Sequence, residues 1–381
     1  MFGRLVTISL VILALFAMFG CGGQQATQEK PATPARAATP DMSEVDEHYY
    51  IGAEYLKNEM YVDAQREFKT VIEMDPDYEK AYRSLGWIYL EQGRLDESIT
   101  AYKKSVELAS TDASAYASLA YAYTRNGDFD LAIENYMRAN EIDPDNPNYY
   151  INMGSTYNNQ GLLAEAIESY RKAIELDPTS STNILTLGNL LYENELYADA
   201  IPLYEKALEL SPDDFNVLKT LGFLYNKVGN FTVSSDYYER AIVQEPDDAD
   251  LRISAARAYI EMENNQQAVL HAERALELRP DMVSLYAYLG DMYNRSGRFN
   301  DAIAIADRAL EQDPNNASAF CVKGKAYEKK TNYEEAIRQF QRAVATGDAT
   351  WSSYATKEIA RQQKLIERRD LIKEQEELDA E

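Results

Sequence analysis

The chain has 381 residues, 45% apolar and 11% aromatic, enough to bury a sizeable core and unlike the depleted composition of a disordered chain. Its formal charge of −25 and pI near 4.5 repel phosphate backbones and anionic headgroups, which excludes nucleic acid as a partner. Two cysteines are too few for a disulfide framework, and 29 tyrosines against 11 phenylalanines point to a binding surface or a reiterated structural slot.

At the amino terminus, Arg4 precedes an apolar run from Leu5 to Phe19, which leads into Gly20, Cys21, Gly22 and Gly23. That order reads as an export signal over residues 1–20. The run falls short of the roughly 20 residues a helix needs to cross a bilayer core. A cysteine placed after such a run and preceded by glycine resembles the lipobox of bacterial lipoproteins, although Met18 and Phe19 stand where that family prefers leucine and a small residue. The resemblance implies that Cys21 carries a diacylglycerol and anchors the chain, with several acyl chains giving firm attachment. Gly22 after the cysteine implies the outer membrane, facing the periplasm, in a Gram-negative cell envelope. Residues 21–43, rich in Thr, Pro, Ala and Gln, read as a tether.

From Val45 onward the chain repeats every 34 residues without insertion or deletion, in nine blocks starting at Val45, Glu79, Ala113, Pro147, Ser181, Phe215, Ala249, Val283 and Ala317. Positions 8 and 20 are Gly, Ala or Ser in every block, so two helix backbones approach closely there. Position 11 is tyrosine in all blocks but the fifth, and position 24 is aromatic in seven. With position 4, these slots hold 17 of the 29 tyrosines, so most of the excess is packing. Apolar positions 4, 7, 8 and 11, then 20, 21, 24, 27 and 28, make two amphipathic helices per block. Position 15 is glycine in five blocks, as a left-handed residue closing the first helix would be. Proline at position 32 of seven blocks ends the second helix. Pro202 is expected within about the first turn of its helix, where its missing N–H costs little.

This pattern resembles the tetratricopeptide repeat, a helix-turn-helix unit of 34 residues, over residues 45–350. The resemblance implies an all-α solenoid, a right-handed superhelix of nine repeats, with residues 351–381 supplying a capping helix and charged tail. Trp351, Tyr354, Ala355, Ile359 and Ile366 form the cap's apolar stripe. Ala255 and Ala272 in block seven and Ala306 in block eight replace bulky residues, so looser junctions are expected there.

Nothing in the sequence reads as catalytic or cofactor-binding. His48 and His271 lie in different blocks with no ligand spacing, and no phosphate loop or nucleophile elbow occurs. Cys321 reads as an inert core thiol. The acidic pairs Asp75/Asp77, Asp143/Asp145, Asp213/Asp214 and Asp247/Asp248 fall at inter-block turns, where Asp caps the next helix. Function then falls to positions 2, 5, 6, 9, 12 and 13 of the first helices, which the resemblance places along the concave groove. There Tyr49, Arg83, Trp87, Leu90, Tyr121, Tyr192 and Phe223 offer contacts, and Asn148, Asn152, Asn158 and Asn189 offer amides for an extended peptide's backbone. No block carries the Lys and Asn pair of the family's clamp for acidic chaperone tails, since Arg83 goes with Trp87 and Lys219 with Phe223. The expected function is a membrane-anchored scaffold holding a protein or peptide partner, with no small-molecule substrate. A self-associating spacer and a non-catalytic subunit of a glycan-export or glycosyltransferase system stand as alternatives, and monomer against homo-oligomer stays open.

Overall fold

The computed structural model describes residues 42–380; the signal, Cys21 and most of the tether lie outside the described residues. Nine helix pairs follow one another: α1 (Glu44–Lys57) and α2 (Tyr61–Met74), α3 (Glu79–Glu91) and α4 (Leu95–Leu108), α5 (Ala113–Asn126) and α6 (Phe129–Ile142), α7 (Pro147–Gln160) and α8 (Leu163–Leu176), α9 (Ser181–Glu193) and α10 (Tyr197–Leu210), α11 (Phe215–Lys227) and α12 (Phe231–Gln244), α13 (Ala249–Glu261) and α14 (Asn265–Leu278), α15 (Val283–Arg295) and α16 (Phe299–Gln312), and α17 (Ala317–Lys329) and α18 (Tyr333–Ala345). A single helix, α19 (Ala349–Ala380), closes the array. The described residues contain no strand, and the fold is an all-α solenoid of stacked helix pairs.

Each pair is fixed by the contact that the small residues permit. A Cβ on Gly86 would meet the Tyr102 ring at 2.8 Å, and one on Gly222 would meet Tyr238 at 2.6 Å, so position 8 is small because the position-24 ring lies on it. Where position 20 is serine, its hydroxyl donates to the position-8 carbonyl: Ser98 to Gly86 at 2.8 Å and Ser234 to Gly222 at 2.7 Å. The junctions expected to be loose are filled instead. Ala255, Ala272 and Ala306 are buried, and a Cβ on Gly290 would strike Val322 of the next block at 2.6 Å. Neighbouring side chains take the volume that the missing rings leave.

The first helix ends the same way in every block. Position 15 is left-handed in all nine, with φ from 57° to 59° at Glu59, Glu195, Glu263 and Thr331 and from 72° to 87° at the five glycines. The position-16 N–H then donates to the position-11 carbonyl, as in Arg94 to Tyr89 at 2.8 Å and Leu196 to Leu191 at 2.9 Å, a Schellman closure. Glycine thus marks five turns of a geometry that the chain uses nine times.

Two expectations about local structure change. Asp214 and Asp248 do cap α11 and α13, but Asp75 accepts the Asp77 N–H within the turn, and α7 is capped by Asn146 rather than by Asp143 or Asp145. Pro202 is the sixth residue of α10, beyond the first turn, so the Ala198 carbonyl lacks its helical donor. Pro202 is exposed, which leaves that side of the helix open to water.

The cap is one continuous helix of 32 residues. Ala355 and Gln362 are fully buried, the Tyr354 ring packs edge-on to Phe340 at 6.3 Å, and Gln362 donates to Glu328 at 2.9 Å. Across blocks the first helices α3 and α5, α5 and α7, α11 and α13, and α15 and α17 approach one another, which no two second helices of neighbouring blocks do as closely. The first helices therefore form the inner side of the curve.

Candidate functional site: the inner face of the first helices

At Leu90, Thr124 and Asn294, position 12 turns out to be a seam between blocks. Leu90 is 2% exposed, the Thr124 hydroxyl meets that of Thr156 at 2.8 Å, and Asn294 donates to the Val322 carbonyl at 3.0 Å. Position 5 ties blocks together in another way. Arg83 reaches the capping Asp112 at 2.7 Å and Ser114 at 2.8 Å, and Lys219 reaches the capping Asp248 at 3.3 Å. Tyr49 packs between Phe68 and Tyr78, with ring centroids at 5.5 and 5.2 Å. Leu90, Arg83 and Tyr49 thus stand among structural contacts.

The open part of the stripe is carried by position 9 with positions 2, 6 and 13, and by position 12 in blocks four and five. Trp87 and Tyr121 are exposed, at 38% and 41%, and Trp87 lies 5.9 Å from Tyr61. Asn148 and Asn158 are exposed and Asn152 half-buried, and their amides make no hydrogen bond among the described residues. Asn189 is exposed and its side-chain carbonyl accepts from the Tyr204 hydroxyl, which leaves the NH₂ free to donate. Tyr192, Tyr197 and Phe223 form one aromatic cluster with centroids 5.4 to 6.1 Å apart. The Lys227 ammonium sits over two of these rings, 5.2 Å from Phe223 and 5.8 Å from Tyr197. The structure therefore brings Asn189, Tyr192 and Phe223 together in the middle of the array, with Trp87 and Tyr121 on earlier blocks of the same face.

A further stretch of this face was missed from sequence. Between blocks eight and nine and the cap, a concavity of about 460 Å³ is lined by Ser284, Ala287, Tyr288, Cys321, Lys325 and Trp351. It adjoins one of about 500 Å³ that shares Asp291 and Lys325. The signal was the run of small residues at positions 2 and 5 of blocks eight and nine, Ser284, Ala287, Ser318 and Cys321, where other blocks carry Arg83, Leu185 or Lys219. Lys325 bonds Asp291 at 3.0 Å and lies 5.4 Å from the Tyr354 ring. Cys321 forms the floor at 1% exposure, and burial pushes its thiol up to about 12, so it stays protonated and unreactive. A separate cleft of about 550 Å³ opens on the outer side between α6 and α8, against Met137, Tyr150, Met153 and Tyr157.

The electrostatics of the two sides differ. Over the nine blocks, stripe positions 2, 5, 6, 9, 12 and 13 carry ten basic and seven acidic residues, a small positive excess in a chain of net charge −25. The acidic surplus sits on the second helices and inter-block turns.

The two histidines are structural. His48 Nδ1 meets Glu67 at 2.6 Å. His271, 3% exposed, stacks on Tyr259 at 5.5 Å and holds Glu239 at 2.8 Å. The hydrogen bond from His271, then that from Tyr259, keeps the Glu239 carboxyl below its ordinary 4.5. Among the described residues, no three His, Cys, Asp or Glu side chains gather as a metal-holding group, and no helix is long and apolar enough to cross a membrane.

A protein of this build is a helical-repeat scaffold, and its inner face carries exposed aromatic and amide side chains. Tetratricopeptide-repeat family models match residues 67–100, 147–180, 185–249, 253–317 and 305–338, and a TPR-repeat model matches 86–127 and 120–161. The chain belongs to the tetratricopeptide-repeat family. No curated protein matches it. Among solved structures it is similar to YrrB, a TPR protein with an unusual peptide-binding site, at 25% identity over 50% of this chain and 99% of that one, with a TM-score of 0.43. The C-terminal part of a TPR protein from Cytophaga hutchinsonii is 19% identical over 72% and 98%, at 0.49, and MamA is 23% identical over 44% and 91%, at 0.41.

Proposed function

We propose that the chain is a membrane-anchored, non-catalytic scaffold of a bacterial envelope that holds an extended segment of another protein along its inner face. The observation that carries this reading is one continuous face on which side chains stand unsatisfied. Trp87 and Tyr121 are exposed aromatics, and the Asn148, Asn152 and Asn158 amides are unbonded among the described residues. Aromatic anchors beside free amides match what an extended backbone needs, apolar pockets for side chains and donor-acceptor pairs for peptide groups. The export signal and Cys21 support attachment through a lipid.

Crosslinking and pull-down of the full chain from membranes tests the groove. A chain carrying Trp87→Ala, Tyr121→Ala, Asn152→Ala and Phe223→Ala together should lose the partner while keeping its helical circular dichroism, and undiminished recovery would count against the reading. The anchor is tested apart from the groove: Cys21→Ser should abolish labelling by a palmitate analogue and change the chain's electrophoretic mobility, whereas unchanged labelling and mobility would rule out lipidation.

A further inference from the structure

The middle of the inner face is uncharged where its two ends are not. In blocks three to six, positions 2 and 6 are Ser, Thr or Asn throughout, from Ser114 to Thr220, and position 9 runs Tyr121, Ser155, Asn189 and Phe223. All twelve are exposed or half-buried, so core packing does not keep charge away from them. In a chain that is 27% charged, about three of twelve such positions would be ionisable by composition alone. The same three positions of the other five blocks hold Asp46, Lys80, Asp250, Arg257, Asp291 and Lys325, six of fifteen. The charges that blocks three to six do bring to the stripe stand elsewhere. Lys219, at position 5, is bonded to Asp248 at 3.3 Å. Arg125, Glu193 and Lys227 are at position 13, in the last turn of their helices, which is charged in eight of the nine blocks and so does not set these four apart.

From this match of charge to charge we infer that the segment lying on blocks three to six is itself uncharged, a run of about nine residues without Asp, Glu, Lys or Arg, polar in its middle and bulky at its two ends. This inference rests on the groove reading above and adds to it the chemistry of the partner. An ionised side chain laid on these blocks gives up water for a floor that holds no counter-ion, a cost that Arg257, Asp291 or Lys325 would offset further along. Uncharged polar groups lose nothing of the kind. Ser118 and Thr186 give their protons to the carbonyl one turn back, at 2.8 Å each, which leaves their oxygens as acceptors, and the Asn152 amide offers a donor and an acceptor together. Tyr121, exposed, and Phe223, clustered with Tyr192 and Tyr197, frame the zone and meet the bulky ends. First helices in contact stand about 10 Å apart and an extended chain advances about 3.3 Å per residue, so the three block steps from Tyr121 to Phe223 take about nine residues. The net negative field of the molecule draws a basic segment toward its surface as a whole and supplies no preference for this part of it.

The test introduces charge of each sign and maps what is bound. In the full chain recovered from membranes, Asn152→Asp, Asn152→Lys, Thr186→Asp and Thr186→Lys should each weaken partner capture by about three- to tenfold with helical circular dichroism unchanged. Capture by the unaltered chain should vary by less than about twofold between about 50 and 300 mM salt. A charged segment gives the opposite pattern, one sign of substitution strengthening capture and the other weakening it, and that asymmetry overturns the inference. Photo-crosslinkers placed at Ser118 and Thr220 should join the partner at points about nine residues apart with no ionisable residue between them, and an Asp, Glu, Lys or Arg inside that stretch overturns it too. Crosslinking to a neutral glycan instead of a polypeptide would sink the inference together with the groove reading. If charge of either sign leaves capture unchanged while the aromatic groove variant loses the partner, the groove reading stands and the uncharged segment fails.

Discussion

Four of the nine first helices close on a residue that their geometry disfavours, and Glu195→Gly makes the cost measurable. Glu195 sits at φ 59° between α9 and α10, where its Cβ crowds its own backbone. An L-residue in this conformation costs about 1–2 kcal/mol, while glycine loses about 0.5–1 kcal/mol more backbone entropy on folding. The net gain for Glu195→Gly is therefore about 0.5–1 kcal/mol. The reciprocal change isolates the cause, because a Cβ on Gly229, at φ 79°, meets nothing within 4 Å. Gly229→Glu should thus cost about the same 0.5–1 kcal/mol through the backbone alone.

The four sites, Glu59, Glu195, Glu263 and Thr331, lie in separate blocks, so their replacement by glycine should sum to about 2–4 kcal/mol. A repeat array melts with local character, so the assay is hydrogen exchange across α9 and α10 together with denaturant unfolding followed by circular dichroism. Glu195→Gly should slow exchange there and raise the unfolding midpoint. The reasoning fails if Glu195→Gly is neutral or destabilising while Gly229→Glu is harmless.

Other outcomes follow from named contacts. Gly222→Ala puts a methyl 2.6 Å from the Tyr238 ring and should destabilise by about 1–3 kcal/mol in thermal unfolding, in contrast to the turn glycines. Leu90→Ala should cost about 2–5 kcal/mol and, in a variant that still folds at low temperature, leave partner capture intact, because the side chain closes a seam. Glu239, held below its ordinary 4.5 by His271 and Tyr259, contributes stability that is present above that value and lost as pH falls through its folded pKa. Glu239→Gln should accordingly flatten the acid limb of a stability-pH curve without steepening the neutral region. Cys321, buried with its thiol near 12, should resist iodoacetamide at pH 8 and react once the chain is unfolded in denaturant.

The helix pairs were legible because the requirements that make them recur at fixed spacing: a ring at position 24 needs a small residue at position 8, and both appear in the one-dimensional string. The left-handed turn was only half legible. Glycine reports that conformation, but Glu59, Glu195, Glu263 and Thr331 adopt it under the pull of the same 16-to-11 hydrogen bond, which leaves no trace in residue type. The groove was legible in outline and blurred in detail. Positions 9 and 12 are both on the inner side of a helical wheel, yet in block two the adjacent first helix closes over position 12, so Leu90 is buried while Trp87 three residues earlier is exposed. A single helix cannot show that, because the neighbour that covers Leu90 belongs to the next block. The concavity beside Trp351 was hidden for a related reason, since it is made by small side chains and by what they fail to fill.

The tyrosines also tie block to block. At position 11 their rings pack between helices, and in three successive blocks their hydroxyls reach back to position 25 of the preceding block: Tyr225 to Glu205 at 2.5 Å, Tyr259 to Glu239 at 2.8 Å and Tyr293 to Glu273 at 2.6 Å. The same glutamates that add to the negative surface are therefore engaged in holding block to block on the second-helix side.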